Sequence, residues 1–254
     1  TDAYVIIMAT LAKHFSTTKA VLQRSFSAVV FASLIANLIY PIIFKKIGIK
    51  NTITCANIIT AIAAIIMIFS DNLYFFLTYI CILALSIKAN TVSCYPLVRS
   101  LSKSSKEFSL HMSKMNFFRS FVGIIVPLVT GILTDYLSWK VIFVIITLYC
   151  VLILTHSKNL VSHYDKTTEK TQHSIYKKIL SNKTFLFFTT LRMLIAAGTF
   201  AYIVELPFLL HDLHYSPTMI GIIFFFINCG FVFGTMLSTK FLQIRSPSHS
   251  ATVG

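Results

Sequence analysis

The sequence predicts an all-α membrane protein, a bundle of about eight transmembrane helices of which the first is incomplete. Three observations carry this. The 254 residues are 56% apolar with a mean hydropathy of +0.78, and only 12% are charged, about half the ~25% of a soluble domain. Apolar runs of membrane length recur between short polar joints. The basic residues collect in alternate joints.

A membrane-spanning helix needs about 20 mostly apolar residues. The short run from Tyr4 to Leu11 reads as the end of a first span. Seven more candidates follow: Val21–Phe44, Ile53–Phe69, Leu73–Val98, Phe117–Leu133, Trp139–Thr155, Phe185–Leu210 and Met219–Leu237. Joints such as Asp71-Asn72 and Ser216-Pro217 separate them. The longest polar stretch, Ser157 to Lys183, carries six lysines and two acids between two strongly apolar blocks. It reads as a cytoplasmic connector between membrane-embedded halves. The chain therefore divides into an N-terminal helical half (1–156), a central loop (157–183), two further spans (184–240) and a polar tail (241–254).

The lysines and arginines test the number of crossings. If every segment crosses, one side holds Lys45, Lys46, Lys50, Arg99, Lys103, Lys106, Lys114, the six central lysines, Lys240 and Arg245, fifteen in all. The other side holds four: Lys13, Lys19, Arg24 and Lys140. Losing or adding one span scrambles this bias, so the positive-inside rule favours eight crossings with the central loop in the cytoplasm. On this reading Lys170 is cytoplasmic and Asp71 extracytoplasmic. The same topology accounts for the net charge of +14, and no basic face or nucleic-acid motif emerges, so no nucleic-acid partner is expected. Five cysteines lie inside apolar runs without CxxC or metal spacing and read as small buried hydrophobes. His211-Asp-Leu-His214 lacks a third ligand, and no metal or other cofactor is expected. No nucleophile elbow, HExxH or P-loop is present to carry an enzyme.

A charge within a span costs about 2.5–3.5 kcal/mol on insertion scales, so each asks for a reason. Asp2 falls about 16 Å deep if its helix leaves the membrane near Lys13. Desolvation there disfavours its charged form, which suits a proton carrier; an exposed terminal residue is the alternative. Lys88 lies about 22 Å along its span, among Ser86, Asn90, Thr91, Ser93 and Cys94, and either snorkels to the surface or faces a cavity. Arg119, Gly123, Pro127 and Gly131 stack at i+4 along one helix face, where small residues allow close approach and proline frees a carbonyl. Arg119 itself reads as snorkelling or as cavity-facing. Arg192 and Glu205 are about 20 Å apart along one helix and cannot pair with each other. Glu205, near the end of that helix, is an interfacial residue or a ligand. Gly230-x-x-x-Gly234 reads as a helix-packing motif.

At these residues the chain resembles the major facilitator superfamily, and within it the bicyclomycin-resistance type of drug:proton antiporter. Thr1-Asp2-Ala3-Tyr4 is similar to that family's TDMYLP. Val126-Pro127-Leu128-Val129-Thr130-Gly131, followed by Ser138-Trp139-Lys140-Val141-Ile142-Phe143, is similar to its APLLGG…GWRAIF. Phe200-Ala201-Tyr202 with Pro207-Phe208, then Ser216-Pro217 and Gly221, is similar to its FAYxxxxPF…SPxxxG. The set covers the chain to about Lys240. The resemblance implies multidrug efflux through a bacterial inner membrane by rocking two helical halves around a midplane cavity. The implied partners are lipid, protons and a small drug-like or metabolite substrate. Asp2 becomes the proton-coupling residue, and Tyr4, Lys88, Arg119, Arg192, Tyr202 and Glu205 become candidate substrate contacts. Gly48, Gly123, Pro127, Gly131 and Pro207 are assigned structural roles.

The departures from the pattern are specific. The family's YGPLSDRFGRRP loop is here Tyr40-Pro-Ile-Ile-Phe-Lys-Lys-Ile-Gly48-Ile-Lys-Asn51, with Lys45 in place of the aspartate. The arginine and glutamine of its RxLQG motif are replaced by Ile80 and Leu83. The family has twelve spans against eight here, residue 1 is Thr, and the tail after Phe241 turns polar. Two expectations follow: a fragment of a proton-coupled exporter, or a non-transporting remnant that acts at most as a membrane-embedded interaction protein. The two C-terminal spans alone are expected to be loosely held.

Overall fold

The computed structural model describes residues 2–160 and 181–244. Among these residues it contains eight helices and no strand: α1 Asp2–His14, α2 Lys19–Ile47, α3 Ile49–Ile68, α4 Leu73–Leu101, α5 Ser105–Tyr136, α6 Lys140–Leu160, α7 Lys183–Asp212 and α8 Pro217–Ile244. Six of them (α2, α3, α4, α5, α7 and α8) are long and apolar enough to cross a membrane. The apolar parts of α1 (Ala3–His14) and α6 (Lys140–His156) are shorter. The protein is thus an all-helical, multi-pass bundle, as the apolar runs predict. Lys170 and most of the central loop lie outside the described residues, as does the tail from residue 245.

Local chemistry sets the helix ends. Asn72 caps α4 by accepting from the Tyr74 amide at 2.8 Å, and Asn182 caps α7 through the Phe185 amide at 3.1 Å. Gly48 separates α2 from α3 with φ +83° and ψ 158°, a conformation that is almost exclusively glycine's. Its amide closes α2 on the Phe44 carbonyl at 3.0 Å. Pro217 opens α8 at the first helical position, where its missing N–H costs nothing.

One span differs from the sequence expectation. α5 starts at Ser105 rather than near Phe117, because Ser104 accepts from the Glu107 amide at 3.2 Å while Glu107 Oε2 accepts from the Lys103 amide at 2.7 Å. This reciprocal cap starts a helix in polar sequence. Its 32 residues span about 48 Å, longer than a ~30 Å hydrocarbon core. The extra turns are held to α4 by Arg99 over the Phe108 ring at 5.5 Å and by Ser102 against His111 at 3.3 Å.

Contacts between helix ends show that the chain alternates in direction. The end of α1 meets the starts of α4 and α6 in an aromatic knot: Phe15, Phe76, Trp139 and Phe143 lie with ring centroids 5.3–6.3 Å apart. The start of α2 touches the last turns of α7, and the end of α5 touches the start of α8. All these belong to one end, called here the far end. The lysine-rich joints belong to the other, the basic end.

α1 is the most enclosed helix, with Tyr4 to Ala9 and Leu11 all buried and α2, α5, α7 and α8 packed around it. α3 packs on α4 and α6, and α2 on α4. Side chains such as Phe31, Leu38, Phe75, Phe117, Phe187 and Phe231 point outward from the bundle with more than half their surface exposed. Exposed apolar surface on this scale is a liability in water and what a bilayer requires.

The last helix, α8, packs closely on α5. α5 and α8 cross so closely that a Cβ on Gly131 would lie 2.4 Å from the Pro217 carbonyl oxygen, and one on Gly221 would lie 2.7 Å from the Pro127 carbonyl oxygen. Gly230 and Gly234, the expected packing pair, have nothing within 4 Å of such a Cβ, and neither does Gly123. The helix-packing role therefore belongs to Gly131 with Gly221, at the far end.

Candidate functional site

The polar residues within the bundle form three groups. The first is a ladder between α3 and α4. The Asn57 and Asn90 side chains exchange amide hydrogen bonds at 2.9 and 3.0 Å, and Thr60 donates to Ser86 Oγ at 2.8 Å. Tyr40 of α2 reaches the Ser86 carbonyl at 3.4 Å. Asn57, Thr60 and Ser86 are buried, and such interhelical bonds contribute about 0.6–2 kcal/mol each in lipid. Much of the polar character around Lys88 is thus spent on helix pairing. Asn57 and Thr60 were not singled out in the sequence, although their i, i+3 spacing in an apolar run puts them on one helix face.

The second group sits where α4, α5 and α6 face one another. Lys88 is half-buried and Arg119 exposed, and Lys88 feels the field of the Arg119 guanidinium. Cys94 lies on α4, and Tyr149 and the buried Cys150 lie on α6. From the far ends of their helices, Lys88 is about 22 Å deep and Arg119 about 26 Å. These two sequence-selected cations thus lie on α4 and α5, helices that pack on each other.

The third group joins α1, α2 and α7. Asp2 is the first residue of α1. Two residues on, Tyr4 is 5% exposed, with its hydroxyl 2.5 Å from Ser25 Oγ of α2. Its ring is packed in the core of this conformation. Glu205 is ion-paired with Lys19 and accepts from Gln23 Nε2 at 2.7 Å, so it is neither a free interfacial charge nor, here, an open ligand. Pro207 is buried next to it. Arg192 and Tyr202, both exposed, lie on α7, whose neighbours are α1, α2 and α8. Lys19 and Gln23 could not be picked out as partners from the sequence, since 186 and 182 residues separate them from Glu205.

The arrangement is that of a multi-pass helical bundle: helices long and apolar enough to span a membrane, a short helix enclosed by them, and buried polar side chains between α3 and α4. A search of curated proteins finds no match to this chain. The sequence profile of the Major Facilitator Superfamily matches residues 1–253. On that match, together with the multi-pass bundle and its inward polar groups, the chain belongs to the major facilitator superfamily of transporters.

Proposed function

We propose that the protein exports drug-like molecules or small metabolites in exchange for protons, as an antiporter of the bicyclomycin-resistance type. It works in a bacterial inner membrane with residues 157–183 on the cytoplasmic side. The observation that carries this reading is the position of Asp2 at the head of α1, the most enclosed helix. Twelve residues separate it from His14 at the far end, a depth of about 18 Å. A carboxylate at that depth loses hydration, which disfavours its charge unless a proton or a cationic substrate accompanies it. Competition between the two for one carboxylate couples their movements in opposite directions. Tyr4 and Tyr202 supply aromatic walls when the halves rock, and Lys88, Arg119, Arg192 and Glu205 are the other candidate contacts.

The test is Asp2→Asn in proteoliposomes, read as proton movement on addition of a lipophilic cationic dye. Proton movement is expected to fall at least about tenfold, the loss of a step that general acid–base transfer supports, with protein levels unchanged. Unaltered dye-dependent proton movement would remove Asp2 from the mechanism.

A second reading, a remnant that no longer transports, is favoured by one feature of α4. Ile80 and Leu83 stand where the resembling motif has arginine and glutamine, and both are buried in the apolar core at 4% and 8% exposure. Parent protein that moves neither dye nor protons supports this second reading.

A further inference from the structure

The far end holds few charges, and two of its acids are already spent: Glu205 is paired with Lys19, and Asp135 accepts from Thr218. Asp71, in the joint between α3 and α4, is exposed and has no hydrogen-bond or ion-pair partner among the described residues. The turn that carries it is fixed on both sides. The Ser70 amide closes α3 on the Met67 carbonyl at 3.3 Å, and Ser70 Oγ donates to the Asn72 carbonyl at 3.1 Å. Asn72 spends its side-chain oxygen on the Tyr74 amide, which leaves its NH2 group as a donor.

A groove of about 420 Å³ opens beside this turn, between the end of α3 and the start of α4. That volume falls in the range of small-ligand sites, about 300–1,000 Å³. Asp71 and Asn72 line it at the level of the joint, and Ile65, Phe69, Phe75 and Tyr79 line the rest. Phe69 and Phe75 keep 78% and 62% of their surface exposed. The depth fits a lipid. α3 has 20 residues, about 30 Å, the thickness of the hydrocarbon core. Asp71, just past the end of α3, is therefore level with the headgroups, and Tyr79, six residues into α4, lies about 9 Å toward the acyl chains. We infer that this groove seats an amine-bearing phospholipid, phosphatidylethanolamine, with its ammonium on the Asp71 carboxylate, a phosphate oxygen on the Asn72 NH2 group and an acyl chain along Phe75 and Tyr79. A primary ammonium brings N–H donors to the carboxylate, which a trimethylated one lacks. An anionic lipid brings only charge of the same sign as Asp71. Such a seat requires the membrane bundle alone and is independent of transport.

A reporter indole in the groove of the full-length protein tests this. Phe75→Trp places one on the exposed wall. The one native tryptophan, Trp139, is 5% exposed in the aromatic knot, and its quenching is subtracted using the parent protein. The vesicles mix phosphatidylethanolamine with phosphatidylcholine, the acyl chains of one or the other brominated, so that quenching of the new indole reports which lipid occupies the groove. Phosphatidylethanolamine should displace phosphatidylcholine with a relative association constant of about two to five, the range of an exposed ion pair, and high salt should lower it. Asp71→Asn should bring the ratio to about one and Asp71→Glu should keep part of the preference, whereas Asp212→Asn should leave it unchanged. Phosphatidylglycerol should associate no better than phosphatidylcholine. Phe69→Trp repeats the measurement from the other helix. A ratio of one in both reporter proteins, a preference for phosphatidylcholine or phosphatidylglycerol, or a preference that survives Asp71→Asn overturns the site.

Discussion

The two ends of the bundle are built differently. At the far end α2 and α7 are clasped by Lys19, Gln23 and Glu205, and Asp135 of α5 accepts from Thr218 of α8 at 2.7 Å. The backbones of Gly131 and Gly221 touch, and Phe76 and Trp139 are buried in an aromatic knot. Toward the basic end, Gly123 and Gly230 face open space, and α7 is exposed along almost all of its first twenty residues. The Phe26 and Phe200 rings meet with centroids 6.1 Å apart. In this conformation the described contacts between α2 and α7 gather at one end of the bundle, while the first turns of α7 at the other end are exposed.

The sharpest way to break the comparison is to put one methyl group into each end. Gly131→Ala drives a Cβ toward the Pro217 carbonyl, and overpacking against backbone is expected to cost about 3 kcal/mol. Gly230→Ala meets nothing and should be neutral or stabilising by up to about 0.5–1 kcal/mol, since alanine is the better helix former. Thermal unfolding in detergent compares the two, and equal effects would erase the distinction between the ends.

A smaller loss is expected from Phe76→Ala. In a bilayer the side chain leaves one apolar medium for another, so the cavity term dominates, at about 2 kcal/mol. The same truncation at outward-facing Phe187, 65% exposed, should change the midpoint little. The ladder between α3 and α4 is the weakest of these tests. Asn57→Ala leaves Asn90 unpaired and should cost about 1 kcal/mol, read from the same melts. Restoration by Asn57→Ala with Asn90→Leu would show that the cost is an orphaned amide, not lost helix contact.

The number of helices, their order and their alternation were legible because the bilayer imposes length and composition on each span, and because basic joints alternate with polar joints that hold few cations. The first turns of α5 were not, because hydropathy reports lipid and Ser105 to Asn116 lie in polar sequence. Their signal was the Ser104-x-x-Glu107 cap. Small-residue spacing pointed alike to Gly131 and to Gly230 with Gly234, and a partner backbone meets only Gly131 of these, since spacing shows that close approach is allowed and only a partner backbone makes it happen. Glu205 was recognised as a charge needing a reason, but Lys19 and Gln23 lie too far away in sequence for any local pattern to join them.

Two spin-label distances across α2 and α7 test whether the two helices lie closer at the far end than at the basic end. One pair, at the exposed positions Ala20 and Leu209, reports the far end; the other, at Ile42 and Phe187, reports the basic end. The far-end pair should give the shorter and narrower distribution, and Glu205→Gln should broaden it. A basic-end pair that is the shorter of the two in the parent protein would contradict the account.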